Sequence, residues 1–176
     1  MNHILFECKG NQAKLIWKTA REICERKHIP WPPGMDVSTI MALPLLKVKA
    51  RSGKIRHGAT RLFLITLSEC ALLIWKLRCK RILEPGHQPD ISTQEALNQT
   101  MSILNKRLNH DKILTSKKRY GNRALPENLV LQTWSGTLQD EHRLPKKWLT
   151  ASGVLVGRPD ASTSHTRSTT DRSGVG

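Results

Sequence analysis

The stretch from Ala59 to Leu83 constrains the fold more than any other part of the chain. Ala59, Leu62, Phe63, Thr66, Cys70, Leu73, Ile74 and Leu77 recur at three- and four-residue spacing and draw one apolar stripe along a helix. Leu64, Ile65, Leu67 and Leu72 widen the stripe until the middle of the helix is apolar nearly all round. Such a helix has little face to give to water, so it reads as the buried central helix of an all-α domain. It does not read as a membrane span. Its apolar run from Leu62 to Trp75 is shorter than the roughly 20 residues a bilayer requires, and Ser68 and Glu69 interrupt it. Lys76, Arg78, Lys80 and Arg81 near its end suit the negative pole of the helix dipole, and Pro85-Gly86 close it.

The rest of the chain supplies helices to cover it. Over 11–28, Ala13, Ile16, Trp17, Ala20, Ile23 and Cys24 form one apolar face, and Pro30, Pro32, Pro33 and Gly34 follow as breakers. Segment 36–46 is short and apolar, with a break expected near Pro44, and 47–57 reads as an exposed basic loop. Ser92-Thr93-Gln94-Glu95 has the form of a capping box, with Ser92 as N-cap and Glu95 reaching back. The helix it opens carries Leu97, Met101, Leu104 and Leu108 and is expected to run to about 116. A turn is expected at Tyr120-Gly121-Asn122. Pro126-Glu127 opens a further short helix with Leu129, Val130, Thr133 and Trp134 on one face, stopped at Gly136. From Pro159 onward Ser, Thr, Arg and Gly dominate without an apolar period, so 158–176 is expected to be disordered. The expected fold is therefore mainly α: a small irregular domain of about four to five helices over 11–157, followed by a disordered tail.

Two Phe and one Tyr leave the five Trp as the main aromatic anchors, and Trp17, Trp75 and Trp134, with Leu73 and Leu77, are the expected core. The tetrapeptide Leu-Ile-Trp-Lys occurs at 15–18 and again at 73–76, which reads as two helices using one kind of anchor. Four scattered Cys and no signal peptide argue for a reducing compartment, nuclear or cytoplasmic and not secreted.

The net charge of +15 calls for polyanions, of which nucleic acid is the commonest. The charge is uneven. Residues 1–57 hold 11 Lys and Arg against 4 Asp and Glu, residues 58–123 hold 12 against 5, and residues 124–176 hold 6 against 5. The densest cluster is Lys106, Arg107, Lys112, Lys117, Lys118, Arg119 and Arg123, with Asp111 as its single acid and Tyr120 beside it to stack on a base. These eight, Asp111 excluded, are the candidate nucleic-acid-binding residues.

Catalysis finds little support. No two carboxylates stand where they could share a metal, and there is no Gly-rich phosphate loop, Gly-x-Ser-x-Gly or His-Glu-x-x-His. Glu69 lies midway along the most apolar helix and is expected to pair with Arg61, Arg78 or Arg119. Cys24 and His28 share a helix face, but without zinc-module spacing they read as a core thiol and a solvated helix end.

His3 and Cys8 flank Ile4-Leu5-Phe6 and read as half of a zinc site, the other half being a Cys-x2-Cys pair expected upstream. Taken with IWK (16–18), RLF…SE…LIWKLR (61–78), LNKRLNHDKILTSKKRYG (104–121), LVLQTWSG (129–136) and LPKKW…SGVLVG (144–157), the chain resembles the C-terminal region of fungal, chiefly basidiomycete, retroelement polyproteins of the non-LTR type. That region follows the reverse transcriptase and ribonuclease H parts. The NHILFEC opening is similar to the second half of the reverse-transcriptase zinc-binding motif. The resemblance covers about 2–157 and implies that 1–10 is a remnant of that motif, with His3 and Cys8 as the only ligands carried over and zinc as the only cofactor. It also implies a retroelement-derived, non-enzymatic basic module that binds RNA or DNA, with no membrane and no small-molecule substrate. The alternatives are part of a ribonuclease H-type nuclease, or a ribonuclease H- and reverse-transcriptase-associated fragment acting as an interaction scaffold or inactive relic.

Overall fold

The computed structural model describes residues 1–8, 12–83 and 90–158. Among them the protein is mainly α-helical. The helices are α1 (Ala13–Arg26), α2 (Val37–Met41), α3 (His57–Leu83), α4 (Thr93–Leu114), α5 (Lys117–Tyr120) and α6 (Glu127–Trp134). Short 3-10 turns at Leu43–Leu45, Gly121–Arg123, Glu141–Arg143 and Trp148–Thr150 join or follow them. The tail expected to be disordered lies outside the described residues apart from Arg158, and so do Pro85 and Gly86.

The long helix expected over 59–83 is α3, and it is central: α1, α4 and α6 all pack on it. Leu62, Leu67, Cys70 and Ile74 are sealed from water along its length. Burying such side chains contributes roughly 1.5–3 kcal/mol each. Gly58 lets α6 come close, since a Cβ there would stand 2.4 Å from the Gln132 carbonyl carbon. Its first turn is also tied to the chain before it, because Thr60 Oγ1 accepts from Val48 N–H at 3.0 Å.

The helix ends follow local chemistry. At the end of α1, Ile29 N–H returns to the Cys24 carbonyl and His28 N–H to the Glu25 carbonyl, at 3.1 and 2.8 Å. This is a Schellman closure, with His28 rather than glycine in the left-handed conformation at φ +52°. The Arg56 guanidinium covers the carbonyls of Lys27 and His28 left over there. Asp36 caps α2 through a complete capping box with Thr39. Hydrogen bonds from Ser38 and Thr39 hold its carboxyl below the usual value. On α4 only half of the expected box forms. Ser92 Oγ accepts from Glu95 N–H at 3.1 Å, but the Glu95 carboxylate accepts from Gln99 instead of reaching back.

Two further expectations change. The 47–57 loop is a small hairpin: Lys49 bridges Ile55, Gly53 makes the turn at φ +79°, and Val48 is buried while Lys47, Lys49, Arg51 and Lys54 stay exposed. The repeated Leu-Ile-Trp-Lys does not give two equal Trp anchors. Ile16 and Ile74 are both buried, but Trp17 is covered and Trp75 is 41% exposed. Trp17 owes its cover to the first residues of the chain. His3–Glu7 forms a π-helical turn that stacks Phe6 on the indole at 5.4 Å and accepts Trp17 Nε1–H on the Leu5 carbonyl at 2.7 Å. The segment after α6 packs back on the helices, as its place within the expected 11–157 domain implied. Leu138 bridges Val156, and Trp148, Leu149 and Val154 join the core.

Candidate nucleic-acid interface

Met101, Leu104 and Leu108 turn one face of α4 into the core, and one turn further on the same face carries Asp111. The carboxylate is therefore completely buried. A buried charge must be paired. Arg61 of α3 meets it with two parallel guanidinium hydrogen bonds, the Nη2–Oδ1 bond being 2.8 Å long. Trp134 of α6 donates its indole N–H to Oδ2 at 2.8 Å. Arg107 stands alongside with Nε 3.9 Å from Oδ1. One carboxylate thus ties α3, α4 and α6 together and fixes how α4 is rotated, which determines which of its residues face water.

The buried carboxylate in the structure is Asp111, not Glu69. Glu69 is half-buried and carries no ion pair among the described residues, and Arg61 serves Asp111. The signal was present in the chain: Asp111 falls in the register of Leu104 and Leu108.

With α4 so oriented, the eight candidate residues separate. Lys106, Lys117, Lys118, Arg119 and Arg123 are exposed and have no carboxylate partner among the described residues. Arg107 is half-buried and turned toward Asp111. Lys112 reaches across to the Ala151 carbonyl at 2.6 Å, and burial pulls its pKa below the ordinary value. Tyr120 is half-buried at the end of α5. The loop that presents α5 is clasped at its base, where Leu125 N–H donates to the Leu114 carbonyl at 2.9 Å. Gly121 turns the chain at φ +52°. Lys117, Lys118, Arg119 and Arg123 therefore stand on a short, pinned excursion of the backbone beside Lys106 of α4, and Lys118 and Arg119 line a shallow hollow with Ile113 and Ser116.

The residues considered for metal lie elsewhere. His3 is exposed beside Glu7, with Nδ1 3.4 Å from Oε2. Cys8 is buried, and its sulfur accepts from the Arg81 guanidinium at 3.5 Å. A cation already on the sulfur is an unfavourable neighbour for a dication. Among the described residues no three His, Cys, Asp or Glu side chains gather where a metal ion could be held. Cys24 is a core thiol, its pKa pushed up to about 12 by burial and then by Glu25, and His28 is exposed at the helix end, as its position implied. Among the described residues no helix is long and apolar enough to cross a membrane.

No family model, curated protein or solved structure matches the chain.

Proposed function

We propose that this chain is a non-enzymatic, retroelement-derived helical module that binds RNA or DNA through phosphate contacts. The observation that carries the reading is the group of five exposed cations without carboxylate partners among the described residues, Lys106, Lys117, Lys118, Arg119 and Arg123. Uncompensated Lys and Arg on a rigid base neutralise phosphates and release counterions, which gives strong binding without sequence preference. The hairpin with Lys47, Lys49, Arg51 and Lys54 adds a second cationic surface in the same class.

The test is fluorescence anisotropy against single-stranded RNA, duplex DNA and an RNA–DNA hybrid over a salt series. Replacing Lys117, Lys118 and Arg119 together by Ala removes up to three phosphate contacts. The salt slope for a single strand then falls by about 2. Unchanged affinity and slope would exclude this surface as the binding site. Metal-dependent cleavage of the hybrid would replace the reading with an enzymatic one.

A second reading, an interaction scaffold, is favoured by one observation. Leu72, Trp75, Ile82 and Leu83 form an exposed apolar stripe along α3, with Lys76 and Lys80 on one border and Arg78 on the other. Exposed stripes of this kind mark protein-binding faces, and the cationic borders fit an apolar helix edged with acids. Loss of a partner's binding in Trp75→Ala, with nucleic-acid affinity unchanged, would separate the two readings.

A further inference from the structure

The outer face of α4 carries Asn98, Ser102, Asn105 and Asn109, spaced four, three and four residues apart and so stacked turn upon turn. Across from them runs the segment from Leu155 to Arg158. That segment is held firmly. Gln139 N–H donates to the Leu155 carbonyl at 2.9 Å, Gly157 N–H to the Thr137 carbonyl at 2.8 Å, and the Arg26 guanidinium grips the carbonyls of Gly157 and Arg158. Between helix and segment lies a cleft of about 370 Å³. Its size is that of a small-ligand site.

The hydrogen bonds in its wall decide what it can hold. Asn105 Oδ1 accepts from Val156 N–H at 2.7 Å. Asn98 Oδ1 accepts from Arg158 at 3.1 Å and from Gln94 at 3.0 Å. Asn98, with both lone pairs of its oxygen engaged, offers only its NH2 group; Asn105 offers its NH2 group beside one remaining lone pair; and Lys106 and Arg158 are donors by nature. Leu155, exposed at the mouth, and Met101, buried at the base, supply an apolar surface. A group that fits is flat, apolar on its face, rich in acceptors at its edge and attached to a negative charge.

From these groups we infer that the cleft takes an unstacked nucleobase of a single strand, its acceptor edge toward Asn98 and Asn105 and its phosphate toward Lys106 and Arg158. The inference rests on the nucleic-acid reading above and deepens it from phosphate contact to base contact. Continuity supports it. Ile113 follows Asn109 one turn on along the same face and lines the hollow that holds Lys118 and Arg119. From Asn98 to Ile113 the helix rises about 22 Å, so a strand leaving the cleft runs along α4 straight into the cationic loop. A duplex keeps its bases stacked and paired and cannot enter in this way.

The experiment compares the full chain on fluorescein-labelled single-stranded RNA and on an abasic strand of equal length and charge, with a duplex of the same sequence as the third probe. The probe variant is Asn98→Ala with Leu155→Ser, which removes one of the two base-edge amides and the apolar surface. Both side chains are exposed, and the change is neutral in charge. The wild type binds the base-bearing strand about tenfold more tightly than the abasic one, the discrimination expected of one well-made base contact. The variant loses that preference and keeps its salt slope. Replacing Lys117, Lys118 and Arg119 by Ala does the reverse. Equal binding of base-bearing and abasic strands by the wild type overturns the inference and leaves the phosphate reading standing. So does equal binding of the duplex, or a variant that keeps the preference. Failure of every probe to bind overturns both.

Discussion

Replacing Asp111 by Asn tests whether one carboxylate holds the three helices together. The substitution keeps the shape of the side chain and leaves a carbonyl oxygen for the Trp134 indole. It removes the charge that the Arg61 guanidinium faces. That guanidinium is only 20% exposed and would be left without a counterion. Breaking a buried pair in this way costs about 3–5 kcal/mol, and the remaining exposure of Arg61 puts the expected value near the lower end, about 3 kcal/mol. A domain of this size has about 5–15 kcal/mol in total. The loss corresponds to a fall in Tm of roughly 6–12 °C. Urea unfolding followed by far-ultraviolet circular dichroism measures it, with an unchanged m-value as the sign that only stability moved. Adding Arg61→Met to Asp111→Asn removes the stranded charge and recovers at least half of the loss. A single variant within about 0.5 kcal/mol of wild type, or a double variant as unstable as the single, would refute the reasoning.

Three other perturbations probe separate parts of the fold. Gly58→Ala places a Cβ 2.4 Å from the Gln132 carbonyl carbon and oxygen and forces α3 and α6 apart; a loss of about 1–3 kcal/mol in urea unfolding is expected. Lys27 reaches the Ser135 carbonyl, and its pKa falls to about 8, chiefly through burial and then through Arg56, with Glu141 opposing. Its ordinary value is higher, so between about pH 8 and 10.5 the unfolded chain holds the proton that the folded chain has released, and stability from this group rises with pH. Wild type should gain urea resistance relative to Lys27→Met when measured at pH 7 and again at pH 10, and a constant difference would contradict this. Finally, burial raises the pKa of both Cys24 and Cys70, so native protein treated with iodoacetamide at pH 8 is modified at half-buried Cys79 well before either, as peptide mapping over time will show.

Most of the helical framework was legible in the order of residues. The apolar period of 11–28 and 59–83, the Ser92 cap, Pro126 before α6 and the glycine at 136 are local signals, and each acts over one or two turns of backbone. The densest basic cluster was equally plain. What it concealed was that Arg107 and Lys112 turn inward: Asp111, four residues from Arg107 on the same helix, is held in the core by Arg61 and Trp134, and the Ala151 carbonyl that Lys112 reaches lies 39 residues further along. The role of Asp111 was half visible in its register with Leu104 and Leu108, but its partners were not, since Arg61 and Trp134 lie 50 and 23 residues away.

Taken alone, the chain determined that a long helix would be buried, that shorter amphipathic helices would cover it and where most of them would start and stop. These are decided by propensity, capping and periodicity within a few residues. It could not determine how α3 is rotated. The middle of α3 is apolar nearly all round, so its period carries little phase, and Leu72 and Trp75 were no less suited to the core than Leu73 and Ile74. Only the tertiary structure made that choice, by packing α1, α4 and α6 against one side and leaving the other to water. The same packing placed α4 so that a carboxylate faces the core while its amides and Lys106 line an open cleft, because helix rotation is set by what lies opposite each face.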